Sequence, residues 1–496
     1  MTQSSGEQSS PTFFQAYRKE ISLLIGIAIG ILDYVINPFS LLPKANLVLA
    51  IGFSMIAWWV TEAMPLAVVA VIPIILFPLF GIESMKEVTR SYADSTIYLF
   101  MGGFFLGLAI EKWNLHKRIA LGIIHLTGTD GNRIILGFIL ATGFLSLWLS
   151  NTATTMMMFP IAMSVIRVIE GHNPEGRQVR NFSLVLMLSI AYASNFALGT
   201  IIGTPPNVAY ASHIHEKFNY TIGFTDWMVV FMPLTVLLLL ALYWLMVKWL
   251  FPNHIRHSEA GKLFIQDELK KLGRLSIPEK RVCVVFGLTV FLWIFKDILN
   301  SLQSLVALDD TMIALMGAVL LFIVPSGCTS TDREQRLLEW SDTQKMAWGI
   351  LLLFGGGIAL AKALEEVKIM DQLGAYIASF STSNVFVLIL VVTTISVFLS
   401  EIMSNVAQVI VLAPVISTVG LALHIDPMLL GIPMTLGASC ASMLPMGTPP
   451  NAIVFASGFI QIKDMMKIGF VMNLICILLI TLFCWILQPY LISLPH

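Results

Sequence analysis

The chain of 496 residues is 57% hydrophobic and only 12% charged, with a mean hydropathy of +0.83. A soluble domain carries about 25% charged residues, so this composition excludes a soluble globular enzyme and points to a polytopic membrane protein. A net charge of −1 argues against nucleic acid as a partner. The five cysteines lack paired or ligand-like spacing and read as structural thiols, neither disulfides nor a metal site.

Residues 1–20 are polar and rich in Ser and Gln, and read as a disordered cytoplasmic tail. Residues 21–42 follow Arg18 and Lys19. They are too long for a signal-peptide core and no small-residue cleavage site follows, so they read as a first transmembrane helix. Further apolar runs near the length a spanning helix needs fall at 47–61, 66–80, 95–110, 182–210, 224–250, 282–299, 312–324, 347–364, 427–457 and 468–491. Two more, 134–168 and 385–423, have room for two half-length helices each and are broken in the middle by Ser-Asn. These read as re-entrant hairpins. The fold class is an all-α polytopic membrane protein of about 11 transmembrane helices plus two hairpins.

Loop charge gives the orientation. With the N-terminus inside, Lys112, Lys117, Arg118, Arg167, Arg177 and Arg180 fall in cytoplasmic loops, while 300–310 carries only Asp309 and Asp310. The chain is therefore expected in the cell (inner) membrane, with a cytoplasmic N-terminus and an external C-terminus. Segment 251–281, with Arg256, Lys262, Lys270, Lys271, Arg274, Lys280 and Arg281, reads as a basic cytoplasmic linker helix near the midpoint. Trp227, Trp244, Trp249, Trp293, Trp340 and Tyr490 lie at span ends and read as interfacial anchors.

Two motifs recur in the same order. Ser150-Asn151-Thr152 sits in the first hairpin and Ser404-Asn405-Val406 in the second. Gly203-Thr204-Pro205-Pro206-Asn207 returns verbatim as Gly447-Thr448-Pro449-Pro450-Asn451. A first repeat, 47–250 with hairpin 134–168, and a second, 282–491 with hairpin 385–423, hold matching sets of spans. An odd number of spans per repeat makes the second enter from the opposite side, the inverted-repeat plan of secondary transporters.

The chemistry follows from the residue types. Consecutive prolines cannot continue a helix, so each Gly-Thr-Pro-Pro-Asn unwinds the chain at membrane depth, which is tolerable only inside protein or along an aqueous cavity. Freed carbonyls and Ser, Thr and Asn oxygens can ligate a hard cation. Hydroxyls, amides and helix N-termini can donate to a carboxylate. None of the four motifs contains Lys or Arg, so positive charge for an anion must come from helix ends and bound cations. Glu401, ionisable within an apolar run, is a functional candidate, a structural hydrogen-bond role being the alternative. An intramembrane enzyme built on Ser150 or Ser400 with Glu401 lacks a nearby histidine or lysine.

The two Ser-Asn tips, the two Thr-Pro-Pro-Asn turns and Trp58-Trp59-Val60-Thr61-Glu62-Ala63-Met64-Pro65 resemble the divalent anion–sodium symporter family, the INDY-type carriers of dicarboxylates, citrate and sulfate. The resemblance implies a homodimer whose transport part moves like an elevator against a scaffold in the lipid bilayer. It implies one sodium site from Ser146, Ser150, Asn151 and Gly199. A second would use Ser400, Asn405 and the backbone carbonyls of Met403 and Gly447. Substrate carboxylates would meet Asn151, Thr152, Asn405, Thr204, Thr448 and Pro449. Where many members have Thr, this chain has Val406, which removes a hydroxyl donor; Gln408 is the candidate substitute. The expected function is sodium-coupled symport of a C4 dicarboxylate (succinate, malate or fumarate), with sodium as coupling ion and no other cofactor. A sodium-independent exchanger and a sulfate or tricarboxylate carrier are the alternatives on the same fold.

Overall fold

Apolar runs become spanning helices where nothing interrupts the backbone hydrogen-bond ladder. The computed structural model describes residues 17–38, 41–128, 130–172, 176–251, 259–302, 306–330, 333–367 and 384–486. Among these, seven helices are long and apolar enough to cross a membrane, or eight if Met85–Ser91 and Ser95–Lys112, bent by 44°, form one span. The expectation of about 11 spans is not met by unbroken helices, because prolines divide several runs. Run 66–80 becomes Leu66–Val69 and Ile72–Leu79, since Pro73 has no N–H to continue the ladder. The first helix is Arg18–Ile36, not 21–42. It stops where Asn37 turns left-handed, at φ 45°, ahead of Pro38. Residues 18–20 thus belong to the helix, and the tail 1–16 and segment 487–496 lie outside the described residues.

Other expectations also need correcting. The loop expected around Lys112–Arg118 runs into the helix Leu115–Thr127, while the segment read as a linker helix contains the helix Glu259–Lys271. They are joined by Lys117 to Glu268, 3.1 Å apart. Arg118 pairs with Glu279 at 2.8 Å and donates to the carbonyls of Gly273 and Leu272 at 2.9 and 3.0 Å, capping the end of the linker helix. An antiparallel ribbon, Pro325–Ser330 with Arg333–Arg336, and a 3-10 turn, Trp340–Lys345, stand where the sequence gives no periodic signal. Trp227 and Trp293 are fully buried rather than interfacial, whereas Trp244, Trp249 and Trp340 are exposed. Trp293 stacks on Phe224 at 4.1 Å between ring centroids, and its indole N–H donates to Asp310 O. Cys440, Cys476 and Cys484 are buried free thiols and Cys283 an exposed one.

The expected hairpin windows hold two helix pairs, Gly131–Ser146 with Asn151–His172 and Val385–Leu399 with Asn405–Ala422. Each pair meets at a non-helical tip. The second helix of each pair packs against the helix that follows the turn of the other repeat. Asn151–His172 packs on Pro449–Phe455, and Asn405–Ala422 packs on Pro205–Phe218. That exchange draws the four motifs towards one region.

Candidate functional site

Both Gly-Thr-Pro-Pro-Asn motifs break the helix, and their prolines then begin the next one. Gly176–Asn195 ends, 196–204 is unwound, and Pro205–Phe218 starts with proline in its first turn. Pro427–Ala438 ends, 439–448 is unwound, and Pro449–Phe455 starts the same way. Proline suits that position because the first helical N–H has no partner to lose. The closing asparagines act alike. Asn207 Nδ2 donates back to Thr200 O at 3.1 Å, and Asn451 Nδ2 donates to Leu444 O at 3.1 Å, each seven residues upstream.

The first tip docks on the first turn. Ser150 caps its helix, its hydroxyl accepting from Ala153 N at 3.2 Å. Thr200 Oγ1 donates to Leu147 O at 2.6 Å. The Asn151 amide faces two backbone carbonyls, Ser194 O and Gly203 O, at 3.0 and 3.3 Å. With its nitrogen inward it donates to both.

The second tip docks on the second turn through Glu401, which is 4% exposed. Oε1 accepts from Ser442 N, Met443 N and Asn473 Nδ2 at 2.8, 2.9 and 2.7 Å, and Oε2 from Leu444 N at 3.0 Å. Glu401 therefore holds the unwound backbone in place. Helix Ile462–Ile486 lies directly on that backbone, where a Cβ on Gly469 would clash with Ser442 O.

The two turns also touch one another. Asn195 Nδ2 donates to Thr448 Oγ1 at 3.1 Å, and Ser439 Oγ donates to Thr204 Oγ1 at 3.4 Å. Asn195 and Ser439 hold matching places before the two motifs, so the contacts are reciprocal. Tyr192 adds a further crossing, donating to Ser442 O at 2.7 Å.

The remaining expected residues fall as follows. Ser146 is fully buried at the end of its helix, its hydroxyl without a hydrogen-bond partner among the described residues. Thr152 is half-buried in the first turn of Asn151–His172. Gly199 lies against Met232 and Thr235. Ser400 is buried and donates to Val397 O at 2.8 Å, leaving its oxygen lone pairs free. Met403 is half-buried in the tip, and Asn405 Oδ1 is buried without a partner among the described residues. Gly447 is buried beside Glu401, Thr204 and Thr448 are buried, and Pro449 is exposed. Gln408 does not take over the donor role of a hydroxyl at Val406. Its amide nitrogen is committed to Ser396 O at 2.9 Å and Ser396 Oγ at 2.6 Å, tying the two helices of its pair together.

Sequence reasoning missed Asn195, Trp227 and Asn473. Trp227 donates to Leu198 O at 2.9 Å and so supports the first turn from outside. Each is a single polar group within an apolar run, a signal shared with ordinary interhelical hydrogen bonds.

The sequence model of the family described as the sodium:sulfate symporter transmembrane region matches residues 18–494. A sodium-dependent dicarboxylate transporter, SdcS, of Staphylococcus saprophyticus is 38% identical over 480 residues, spanning 95% of this chain and 92% of that protein. The SdcS of Staphylococcus aureus strain USA300 is 37% identical over 495 residues, spanning 96% and 94%. The solved Alcanivorax borkumensis YdaH transporter is 14% identical and covers 82% of this chain and 88% of that one. Its TM-score to this chain is 0.49.

Proposed function

The chain belongs to the sodium:sulfate symporter family, a family of transporters and not of enzymes, and from that premise we propose that it is a sodium-coupled symporter of a C4 dicarboxylate. The observation that carries the reading is the name sodium-dependent dicarboxylate transporter on relatives 37–38% identical along nearly the whole chain. Succinate, malate and fumarate are the substrates, and a homodimer working by an elevator movement is the mechanism. The two halves are inverted repeats, the helix pairs re-entrant hairpins, the N-terminus cytoplasmic and the C-terminus external. The reciprocal crossing of the turns supports the repeat.

One sodium ion is held by Ser146, Ser150, Asn151 and Gly199, and another by Ser400, Met403, Asn405 and Gly447. Asn151, Thr152, Asn405, Thr204, Thr448 and Pro449 line the substrate. The two carbonyls facing Asn151 support a specific coupling device. A cation there turns the amide oxygen inward, which leaves its nitrogen to donate to the substrate. Without the cation the nitrogen donates to Ser194 O and Gly203 O, and the oxygen left outward repels a carboxylate. Cation binding thereby converts an acceptor into a donor at the anion site, which links the two affinities.

Radiolabelled succinate uptake into proteoliposomes tests this. Uptake should follow an inward sodium gradient and be absent when potassium replaces sodium. Uptake that ignores sodium and requires internal dicarboxylate would make the protein an exchanger. Asn151→Ala should lower uptake by about 100-fold, the worth of one charge-assisted hydrogen bond plus a cation ligand, with the thermal transition of the purified protein retained.

A further inference from the structure

Thr448 is both the cap of helix Pro449–Phe455 and a proposed substrate contact. Its hydroxyl oxygen accepts two hydrogen bonds, from Asn451 N at 3.3 Å and from Asn195 Nδ2 at 3.1 Å. A hydroxyl offers two lone pairs and one proton. With both lone pairs engaged by N–H groups, what remains is the O–H, which can only donate. Asn195 is buried, 1% exposed, at the last turn of Gly176–Asn195, and Thr448 is 4% exposed. Neither bond is replaced cheaply by water.

The matching place in the other repeat is different. Thr204 Oγ1 meets the Ser439 hydroxyl at 3.4 Å, and Thr204 has no side-chain cap bond to its own helix. Two hydroxyls can exchange donor and acceptor roles, so Thr204 keeps the choice that Thr448 has lost. The Asn195 amide is held nitrogen-inward, because the same nitrogen also faces Ala441 O and Asn451 Oδ1, at 3.4 and 3.5 Å.

We propose that Asn195, from the first repeat, is a positioning residue for substrate. It fixes the Thr448 hydroxyl of the second repeat as an obligate donor and thereby commits that side of the site to a hydrogen-bond acceptor such as a carboxylate oxygen. This rests on the proposed placement of substrate beside Thr448. Asn195 does not touch substrate. It acts by denying Thr448 the option of ligating a cation or of accepting from a neutral, donor-bearing solute.

The test is a double-mutant cycle on succinate uptake by the full chain in proteoliposomes at saturating sodium. Asn195→Asp places an acceptor where the donor was, so the Thr448 proton turns to the new carboxylate and away from substrate. We expect KM to rise about 10-fold with little change in maximal rate. Thr448→Ala should raise KM similarly, and Asn195→Asp should add far less in the Thr448→Ala background than it does in the unmutated protein. In a Thr448→Ser background, which retains the hydroxyl, the Asn195→Asp effect should return. If Asn195→Asp does not fold, Asn195→Ser, which copies the Ser439 junction, provides the same cycle with a KM rise of about 3-fold. Additive effects in the alanine background, or an unchanged KM in a folded Asn195 variant, overturn the proposal. Failure of the unmutated protein to take up succinate or any other dianion would instead overturn the functional reading itself.

Discussion

At the first turn, the groups that hold the unwound chain are donors reaching for carbonyls: Thr200 to Leu147 O, Asn207 to Thr200 O and Trp227 to Leu198 O. The second turn keeps the asparagine's donation, Asn451 to Leu444 O, but adds a clamp of the opposite direction, in which the Glu401 carboxylate receives the N–H groups of Ser442, Met443 and Leu444. The five motif residues are the same in both places, so the difference comes from what surrounds them. Leu147 and Glu401 each follow the buried serine at the end of a tip helix. Unwound backbone must be satisfied by some partner, and two copies of one motif can meet that demand with opposite polarity. The first arrangement engages the carbonyls of Leu147, Thr200 and Leu198. The second engages three backbone amides as well as the carbonyls of Ser442 and Leu444.

Four substitutions test this contrast, in falling order of effect. Glu401→Ala strands the backbone N–H groups of buried Ser442 and half-buried Met443 and Leu444. It should destabilise the protein by about 3–5 kcal/mol, seen as a large fall in the thermal transition in detergent and loss of uptake; a folded, active variant would dissolve the contrast. Leu147→Glu puts the second turn's device beside the first turn, where carbonyls rather than N–H groups face the tip. Burying that unpartnered carboxylate should cost about 3 kcal/mol by the same measurement, and a neutral outcome would mean the polarities are not fixed. Thr200→Val keeps shape but drops one bond, and should cost about 1 kcal/mol, a shift of a few degrees. Val406→Thr restores a hydroxyl at the second tip. Because Val406 packs against apolar side chains of the core, the expected result is a change in succinate KM of about 3-fold or less, with no loss of stability.

The local part of this design was legible in the sequence. Pro-Pro dictates where a helix must stop, and both breaks fall immediately before the prolines; the two Ser-Asn tips likewise fall between helices. The polarity of each clamp was not legible. Glu401 stands out as an ionisable residue in an apolar run, yet the backbone amides it holds lie 41–43 residues away and Asn473 lies 72 residues away. Nothing local distinguishes a carboxylate that binds solute from one that binds main chain. Asn195 is hidden for the same reason, with its partner 253 residues distant. The tryptophans misled because an indole near a span end fits a headgroup and a buried carbonyl equally well, and Trp227 and Trp293 took the carbonyl.

The crossing of Asn195 to Thr448 and Ser439 to Thr204 has a consequence that two separate identical half-chains could not reproduce. Such a pair would have to place the same residue at both junctions. A single polypeptide can carry an amide at one and an alcohol at the other. The cradle between them is then lopsided, rigid in its proton direction at one wall and adaptable at the other. Under the proposed function, a diacid with unlike ends would meet different hosts at its two termini and have a preferred way round.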